Sequence, residues 1–395
     1  MNPQSFLDHN KETIIQTYQD LHKLAEPSWQ EEKTAKYLRE RLNDAEFEIK
    51  TYKNHFGFIA EIKGQNDTVV ALRADMDALV QEVDGVVKAN HSCGHDAHST
   101  MVLYAALAIS ASGIKPNHTI RFIFQPAEEK GEGALQMMED GALDNVISLF
   151  GVHLRPEREV PFQKASPVII HGSAETIKGT IQGIQAHASR PQDGINAIEV
   201  AAEIVKKLKQ INLNTDIPHS IKMTQIQTEN EASNTIPETV KFSLDVRAQT
   251  NDIMNQLNAR TVEVFEETMI ETKAKISWSM EEFVPAAVQN EQAIKITEKA
   301  ILEIIGHENI VTECISNGGE DFHFYTNKYP QIAATMVGLG CGLTPGLHHP
   351  HMSFNLEALH YGAKILTQTV LLASELASEQ EQLRGEANAK QTESI

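Results

Sequence analysis

The sequence predicts an α/β fold in which a central mixed sheet flanked by helices is interrupted by a smaller α+β domain. Two changes of hydrophobic pattern carry this prediction. Apolar residues first recur at helical spacing and then alternate or form β-branched runs. From about residue 173 the sequence becomes more polar and alternates more strictly, and helical spacing resumes near residue 287. We therefore predict one discontinuous domain, residues 1–172 and 287–395, and one inserted domain, residues 173–286.

Each predicted element follows from one of these patterns. In the discontinuous domain they are, in order, helices IIQTYQDLHKLAEPSW and EEKTAKYLRERL, strands FEIKTY, GFIAEIKG and TVVALRAD, helix STMVLYAALAISA, strands HTIRFIFQP and SLFGVHL, helix EQAIKITEKAILEII and strand TMVGLG. In the inserted domain they are the stretch ETIKGTIQGIQAH, helix INAIEVAAEIVKKLKQI, strands SIKMTQIQ and TVKFSLDVR, a long helix after Asp252 and strand AKISWSM. The final segment, ASEQEQLRGEANAKQTESI, is polar with few apolar residues, which predicts a frayed tail.

Charge, hydrophobicity and cysteine spacing argue against several classes of protein. The formal net charge is −20, from 34 Lys and Arg against 54 Asp and Glu, which disfavours binding to nucleic acid or anionic lipid. No stretch approaches the roughly 18 apolar residues of a membrane span, and no secretory signal is visible, so we expect a cytoplasmic protein. The three cysteines, Cys93, Cys314 and Cys341, are too widely spaced for a disulfide framework.

The strongest local signal is the segment from His91 to His98, HSCGHDAH, which combines thiol, imidazole and carboxylate groups between a predicted strand and a predicted helix. Sulfur and imidazole ligands suit a transition metal such as zinc. Gly94 allows the loop to turn Cys93 and His95 toward one point. Either residue alone would indicate packing or a helix cap, but the cluster favours metal binding.

Carboxylates lie at the ends of two predicted strands. Asp75 and Asp77 share a face after TVVALRAD, where they can orient a metal-bound histidine, cap the turn or pair with Arg73. Glu128 and Glu129 follow HTIRFIFQP, and ligand sites in open α/β sheets lie at such carboxyl ends. One of the two glutamates can bind metal while the other acts as general base on a water. On its own, the pair is also typical of a solvated helix start.

Two further histidines end apolar runs, His153 in LFGVH and His348 in GLHHP. A lone histidine at a strand end is more often structural, but several at comparable strand ends can converge on one metal. His349 and His351 leave the choice within the last cluster open.

The motifs LRADMDAL, HSCGHDAH, QPAEE, GVH, NTIP, GGEDF and LHHP, in this order and spacing, resemble the metal-dependent aminoacylase and carboxypeptidase-type amidohydrolases. That family includes hippurate hydrolases, indole-acetyl-amino-acid hydrolases and N-acetyl-diaminopimelate deacetylases. The likeness extends from LHKLAEPSWQEEKTAKYL to the helix after His360. It implies a catalytic, metal-binding discontinuous domain and an inserted lid domain, which often mediates homodimer formation.

The resemblance also implies roles for single residues. Cys93, His95, Glu129, His153 and His348 match the ligands of two divalent metal ions, and Glu128 matches the catalytic base. Manganese or zinc is expected first, and cobalt and nickel also tolerate such ligands. In the lid, His187 matches a histidine that polarises the substrate carbonyl, sometimes across a dimer, and Asn234 and Arg247 match residues that hold the substrate carboxylate. Each of these three can also be a plain turn or surface residue.

The implied function is hydrolysis of the amide bond of an N-acyl amino acid, a dipeptide-like substrate or a small related amide, with Glu128 activating a water between the metals. One alternative is a cysteine hydrolase with Cys93 as nucleophile, although such a site does not need several histidines and a glutamate pair. Another is a non-catalytic metal-binding or scaffold protein, against which Glu128 argues. Val80 replaces a usual proline, and Asp245 and Val246 stand where many relatives carry glycine before the arginine, so the substrate pocket differs.

Overall fold

The chain forms two compact units in the computed structural model, which describes residues 1–43, 45, 47–230 and 232–392. The first unit comprises Met1–Ile170, Val288–Ile315 and the chain from Phe324 onward, and the second comprises His171–Ala287 and Ser316–His323. The short segment Ser316–His323 belongs with the second unit, where the Gly172 N–H donates to the Ser316 carbonyl over 2.9 Å. The roles of the two units as catalytic domain and lid stay predictions.

The first unit is built on a seven-stranded sheet, which confirms the predicted α/β class with a central mixed sheet. The strands of this unit are β1 Glu48–Thr51, β2 Phe58–Ile62, β3 Asn66–Asp75, β4 Leu79–Val83, β5 Val86–Asn90, β6 His118–Gln125, β7 Val146–Pro156, β8 Ala165–Ser166 and β17 Ala333–Leu343. The strand order of the sheet is β1-β2-β6-β3-β7-β17-β8. β4 and β5 form a separate hairpin. The sheet is mixed because β3, β6, β7 and β17 run parallel while the outer pairs are antiparallel.

Parallel pairing brings the ends of three strands to one edge of this sheet. Asp75 pairs with Gln125, and β3 also pairs with β7, in which His153 lies near the end. The carboxyl ends of β3, β6 and β7 therefore lie side by side, where an open α/β sheet places its ligand site.

Helices flank this sheet, and apolar side chains from both layers form the core. The helices are α1 Pro3–His9, α2 Lys11–Lys23, α3 Glu32–Asn43, α4 His95–Ser112, α5 Gly133–Glu139, α8 Glu291–Ile305, α9 His323–Lys328 and α10 Glu357–Thr392. α4 is buried on nearly every side and packs against α10. This core contains fully buried side chains from both layers: Leu72 of β3 and Phe122 of β6 from the sheet, and Leu103 of α4 and Leu366 of α10 from the helices. Within the described residues, no helix is long and apolar enough to cross a membrane.

The second unit is a four-stranded antiparallel sheet with two helices. Its elements are β10 Ser173–Gln182, β11 Ala186–His187, α6 Ala197–Leu208, β12 His219–Gln227, β13 Thr235–Ile236, β14 Thr239–Ala248, α7 Asn251–Thr272 and β15 Lys275–Val284. The sheet order is β12-β14-β10-β15. Alternate residues such as Ile177 and Leu244 pack with Ile204 of α6 and Phe265 of α7. Two short strands, β9 Ile169–His171 and β16 Cys314–Ser316, lie where the chain passes between the units.

Two local predictions are wrong, and one element was not predicted. The helix predicted over IIQTYQDLHKLAEPSW ends at Lys23, and the following residues form a loop in which Trp29 has a φ of 68°. The β4–β5 hairpin was not predicted. The tail predicted to fray from residue 377 continues α10 as far as Thr392, since it is rich in helix formers and contains no proline; residues 393–395 lie outside the described chain.

Candidate metal centre

The five predicted metal ligands converge within the first unit, although they come from four places in the chain. Cys93 and His95 lie at the start of α4, where Gly94 has a φ of 90° that glycine adopts without strain. Glu129 follows β6, His153 lies in β7, and His348 lies in the turn after β17. Parallel pairing of the strands explains why segments so distant in sequence meet.

The donor atoms form overlapping groups, each with all atoms within 4.8 Å of one another. They include Cys93-His95-His153, Cys93-Glu129-His348, His95-Glu128-Glu129 and Asp75-His95-His98. The Cys93 Sγ lies 3.6 Å from the His153 Nε2, and the Glu129 Oε2 lies 3.6 Å from the His348 Nε2. A metal with bonds of roughly 2.0–2.3 Å to nitrogen, oxygen or sulfur requires separations of this size between its ligands.

Two buried polar atoms test whether this cluster suits a cation. Among the described residues, neither the His95 Nε2 nor the Glu129 Oε1 has a hydrogen-bond partner. Burial raises the pKa of Glu129 to about 7 and, together with the Glu129 carboxylate, holds the pKa of the Cys93 thiol well above its usual range. A bound divalent cation would satisfy these atoms and stabilise both anions, so the residues fit a metal. The same raised pKa disfavours Cys93 as a nucleophile.

Asp77 orients two of the candidate ligands, as the strand pattern suggested. Its carboxylate can only accept, so the His95 Nδ1–H donates to the Asp77 Oδ1 over 3.1 Å, which leaves the lone pair on Nε2. The Glu129 backbone N–H donates to the Asp77 Oδ2 over 3.1 Å. In His153 the Nδ1–H donates to the Leu154 carbonyl over 2.8 Å, so its lone pair is likewise on Nε2. Such outer contacts fix the tautomer that a metal needs.

His98 lies beside the cluster but is not placed as a ligand. Its Nε2 accepts the Leu154 N–H over 3.0 Å, so the ring proton is on Nδ1, which donates to the Asp75 Oδ1 over 2.8 Å. Asp75 also accepts from the buried Arg73 over 2.6 Å. Burial would raise the pKa of Asp75, but the neighbouring His95, His98 and Arg73 hold it well below its usual range.

Replacing Arg73 by methionine is expected to destabilise the metal-free protein by about 3–5 kcal/mol, because it leaves the Asp75 carboxylate buried without its cation. Chemical denaturation of the apoprotein measures this free energy of unfolding. The double variant Arg73→Met with Asp75→Asn is the control and should recover part of the loss, since it removes the unpaired charge. If the double variant loses as much free energy of unfolding as the two single variants together, the pairing of Arg73 with Asp75 is contradicted.

The turn after β17 brings His348, rather than its histidine neighbours, to the cluster. The His348 N–H donates to the Ser92 carbonyl over 2.7 Å, which ties this turn to the Cys93 loop. The His351 Nε2 instead lies 3.3 Å from the Asp84 Oδ1, and the His349 Nδ1 accepts the His351 backbone N–H. This geometry favours His348 among the three.

The three predicted lid residues all lie in the second unit. His187 of β11 pairs with Thr235 of β13, and the Asn234 carbonyl accepts the Ala188 N–H over 2.8 Å, so His187 and Asn234 are neighbours. The His187 Nδ1 accepts the Ser189 N–H, which puts the ring proton on Nε2.

Arg247 of β14 is already paired in its own strand. Its Nε and Nη2 donate to the Asp245 carboxylate over 3.0 and 2.7 Å. Asp245 thus occupies part of the guanidinium fork predicted to hold a substrate carboxylate.

Sequence reasoning missed the residues that support the cluster from the α2–α3 loop, residues 24–31. The Ser28 hydroxyl donates to the Asp77 Oδ2 over 2.7 Å, and the buried Glu31 carboxylate accepts the Ala127 N–H over 2.9 Å. A polar PSWQEE stretch interrupting helical spacing was the available signal.

Three comparisons found known proteins that are similar to this chain. The model of peptidase family M20/M25/M40 matches residues 71–372. An N-acetylcysteine deacetylase of Bacillus subtilis is 29% identical, with 92% of this chain and 97% of the relative covered. The Arabidopsis thaliana protein named IAA-amino acid hydrolase ILR1-like 2 is 31% identical, with coverage of 89% and 83%.

A solved structure extends the likeness to the whole fold. The Bacillus subtilis YXEP protein, described as a dinuclear metal-binding peptidase of the M20 family, superposes with a TM-score of 0.79 at 26% identity, covering 93% of this chain and 99% of its own. The amidohydrolase class predicted from the motifs is confirmed. The family model spans most of the chain, and the chain therefore belongs to peptidase family M20/M25/M40.

Proposed function

We propose that the protein hydrolyses the amide bond of N-acyl amino acids, using two divalent metal ions. The convergence of Cys93, His95, Glu129, His153 and His348 carries this proposal, with Glu128 beside them. The names of the bacterial deacetylase and the plant hydrolase support a small N-acyl amino acid as substrate. Manganese and zinc are the favoured metals, because a thiolate, three imidazoles and a carboxylate form a mixed ligand set.

When bound, the metals would polarise the substrate carbonyl and lower the pKa of water toward about 7. The protein's part begins with Glu128. Its Oε2 lies 3.7 Å from the His95 Nε2, and its side chain is 11% exposed, so it borders the cluster and remains accessible to water. Glu128 removes a proton from the attacking water and returns it to the leaving amine nitrogen, so the base is regenerated when the C–N bond breaks.

We propose roles in substrate binding for three residues of the second unit. The His187 Nε2–H is a donor suited to the oxygen of the substrate carbonyl, which gains negative charge in the transition state. Arg247 and Asn234 would hold the substrate carboxylate. We further propose that this unit forms a homodimer contact. All three cysteines are free thiols, which supports a reducing, cytoplasmic location.

Replacing Arg247 by alanine is expected to raise KM for an N-acetyl amino acid by about tenfold, the equivalent of roughly 1.4 kcal/mol. The expected loss is modest because Asp245 already shares the guanidinium group. The matched substrate is the same compound with its carboxylate converted to a carboxamide, whose KM should stay unchanged. An equal rise in KM for both substrates would contradict carboxylate binding.

The proposed reaction is tested by stripping the purified protein of metal and reloading it with Zn²⁺, Mn²⁺, Co²⁺ or Ni²⁺. Each form is then offered N-acetyl, N-benzoyl and indole-acetyl amino acids and dipeptides. We expect release of free amino acid only from metal-loaded protein, with one conjugate preferred. Absence of release from every conjugate with every metal would overturn the proposal.

A further inference from the structure

A second layer of contacts holds the turn that carries Glu128 and Glu129. Ala127, which precedes this glutamate pair, has φ 52° and ψ 40°. This left-handed conformation is strained for a residue with a Cβ. The turn therefore needs outside contacts to keep its shape.

Glu31, in the α2–α3 loop, supplies one such contact. Its Oε1 accepts the Ala127 N–H over 2.9 Å and the Trp29 N–H over 2.9 Å. The Trp29 indole N–H donates to Glu132 over 2.8 Å, which joins the loop to the far side of the same turn. Two side chains of one loop thus bracket the residues on either side of the glutamate pair.

Helix capping does not explain this carboxylate. Although Glu31 directly precedes α3, the Glu26 carboxylate accepts the N–H groups of Lys33 and Thr34 at the start of that helix. The Glu31 side chain is directed instead at a residue far away in sequence. Its contacts serve the Ala127 turn and its own loop.

Burial makes Glu31 costly as a purely structural residue. Its exposed fraction is 0%, and its Oε2 has no hydrogen-bond partner among the described residues. Burial, together with the nearby Asp77 carboxylate, raises the pKa of Glu31 to about 7. A buried carboxyl group with one unsatisfied oxygen costs folding free energy. Its two backbone contacts offset that cost only in part.

We infer that Glu31 is a positioning residue, which holds the Ala127 turn so that Glu128 faces the substrate water and Glu129 faces the metal. The inference rests on the proposed function of that pair. Glu31 acts through the backbone and touches neither substrate nor metal. Removal of such outer contacts typically lowers metal affinity or activity about 10–100-fold.

The experiment compares four variants of the full chain. Glu31→Gln keeps an acceptor at the same reach, Glu31→Asp keeps the charge but shortens the reach, and Glu31→Ala removes both. Glu26→Ala is the matched control, because it removes a carboxylate of the same loop that caps α3. Zn²⁺ affinity is measured by competition with a chromophoric chelator. Steady-state kinetics at saturating metal gives kcat and KM, and thermal unfolding gives Tm.

We expect Glu31→Ala to weaken Zn²⁺ binding and lower kcat about 10–100-fold, with KM within about twofold of wild type. In Glu31→Gln, the Zn²⁺ affinity and kcat should stay within about threefold of wild type, and both should be higher than in Glu31→Asp. This order of the two variants tests the inference even when Glu31→Ala does not fold. Glu26→Ala should lower Tm alone. Three results would overturn the inference: wild-type Zn²⁺ affinity and kcat in Glu31→Ala, an equal loss of both in Glu26→Ala, or higher values in Glu31→Asp than in Glu31→Gln. When the wild type hydrolyses no conjugate, the proposed function fails. The inference about Glu31 is then tested by Zn²⁺ affinity alone, which should again be higher in Glu31→Gln than in Glu31→Asp.

Discussion

Glu128→Gln is expected to lower kcat for amide hydrolysis by about 10²–10⁴-fold while both metals stay bound. Glutamine has nearly the same shape as glutamate but cannot take a proton from water or return it to the amine. Although Glu128 belongs to the His95-Glu128-Glu129 group, the variant keeps all five proposed ligands, so we expect metal binding to persist. Steady-state kinetics beside metal analysis of the same samples measures both quantities.

The matched control is Glu139→Gln, an exposed glutamate at the end of α5, which should leave kcat unchanged. Retention of more than about a tenth of the wild-type kcat in Glu128→Gln would contradict the role of Glu128 as base. The two alternatives give different results. A scaffold protein turns over no substrate with or without Glu128, and a cysteine hydrolase remains active after chelation of the metal.

Cys93→Ala should weaken Zn²⁺ binding by more than about 100-fold, beyond the loss usual for outer contacts, and abolish most turnover. Cys93 is 7% exposed and belongs to two of the overlapping donor groups, so its loss affects both candidate metal positions. Loss of the soft thiolate is expected to weaken zinc binding more than manganese binding. Metal titration of the stripped protein, followed by activity at each metal concentration, measures the effect.

Cys341→Ala is the matched control for this substitution. Cys341 is a fully buried thiol of β17 whose sulfur lies 3.9 Å from the Arg155 carbonyl, outside the donor groups. Its replacement should reduce stability through a small cavity and leave Zn²⁺ affinity unchanged. Unchanged Zn²⁺ affinity in Cys93→Ala would remove Cys93 from the ligand set.

The ligands predictable from sequence are those that local chemistry marks. Cys93 and His95 lie within three residues of one another around a glycine, and Glu128 and Glu129 directly follow a buried strand. His153 and His348 were harder, since a lone histidine is usually structural. Their inclusion depended on the family resemblance, and the choice of His348 over His349 and His351 is favoured by a turn bonded to the Ser92 carbonyl.

The α2–α3 loop shows why other parts were missed. Helical spacing in IIQTYQDLHKLAEPSW extends past Lys23, but the helix ends there and the loop contacts Asp77 and Ala127 instead. Those contacts join residues about 50 and 100 positions apart, which no local pattern encodes. The assignment of the Ser316–His323 segment to the second unit likewise depends on distant packing. The β4–β5 hairpin, by contrast, is local, and its Asp84-Gly85 turn, with both residues at positive φ, is a hairpin signal present in the sequence.

Residue type and local spacing were enough to specify the α/β class and the chemistry of the proposed ligands, because periodicity and ligand softness are properties of neighbouring residues. The amidohydrolase family was implied by the resemblance of the motifs to known proteins. The three-dimensional fold alone favoured His348 over the neighbouring histidines, engaged both ring nitrogens of His98 in hydrogen bonds, and placed Glu31 behind the glutamate pair. These outcomes depend on the parallel register of β3, β6 and β7 and on loop contacts over long sequence separations. Hydrogen-bond direction and burial exist only once those segments have met.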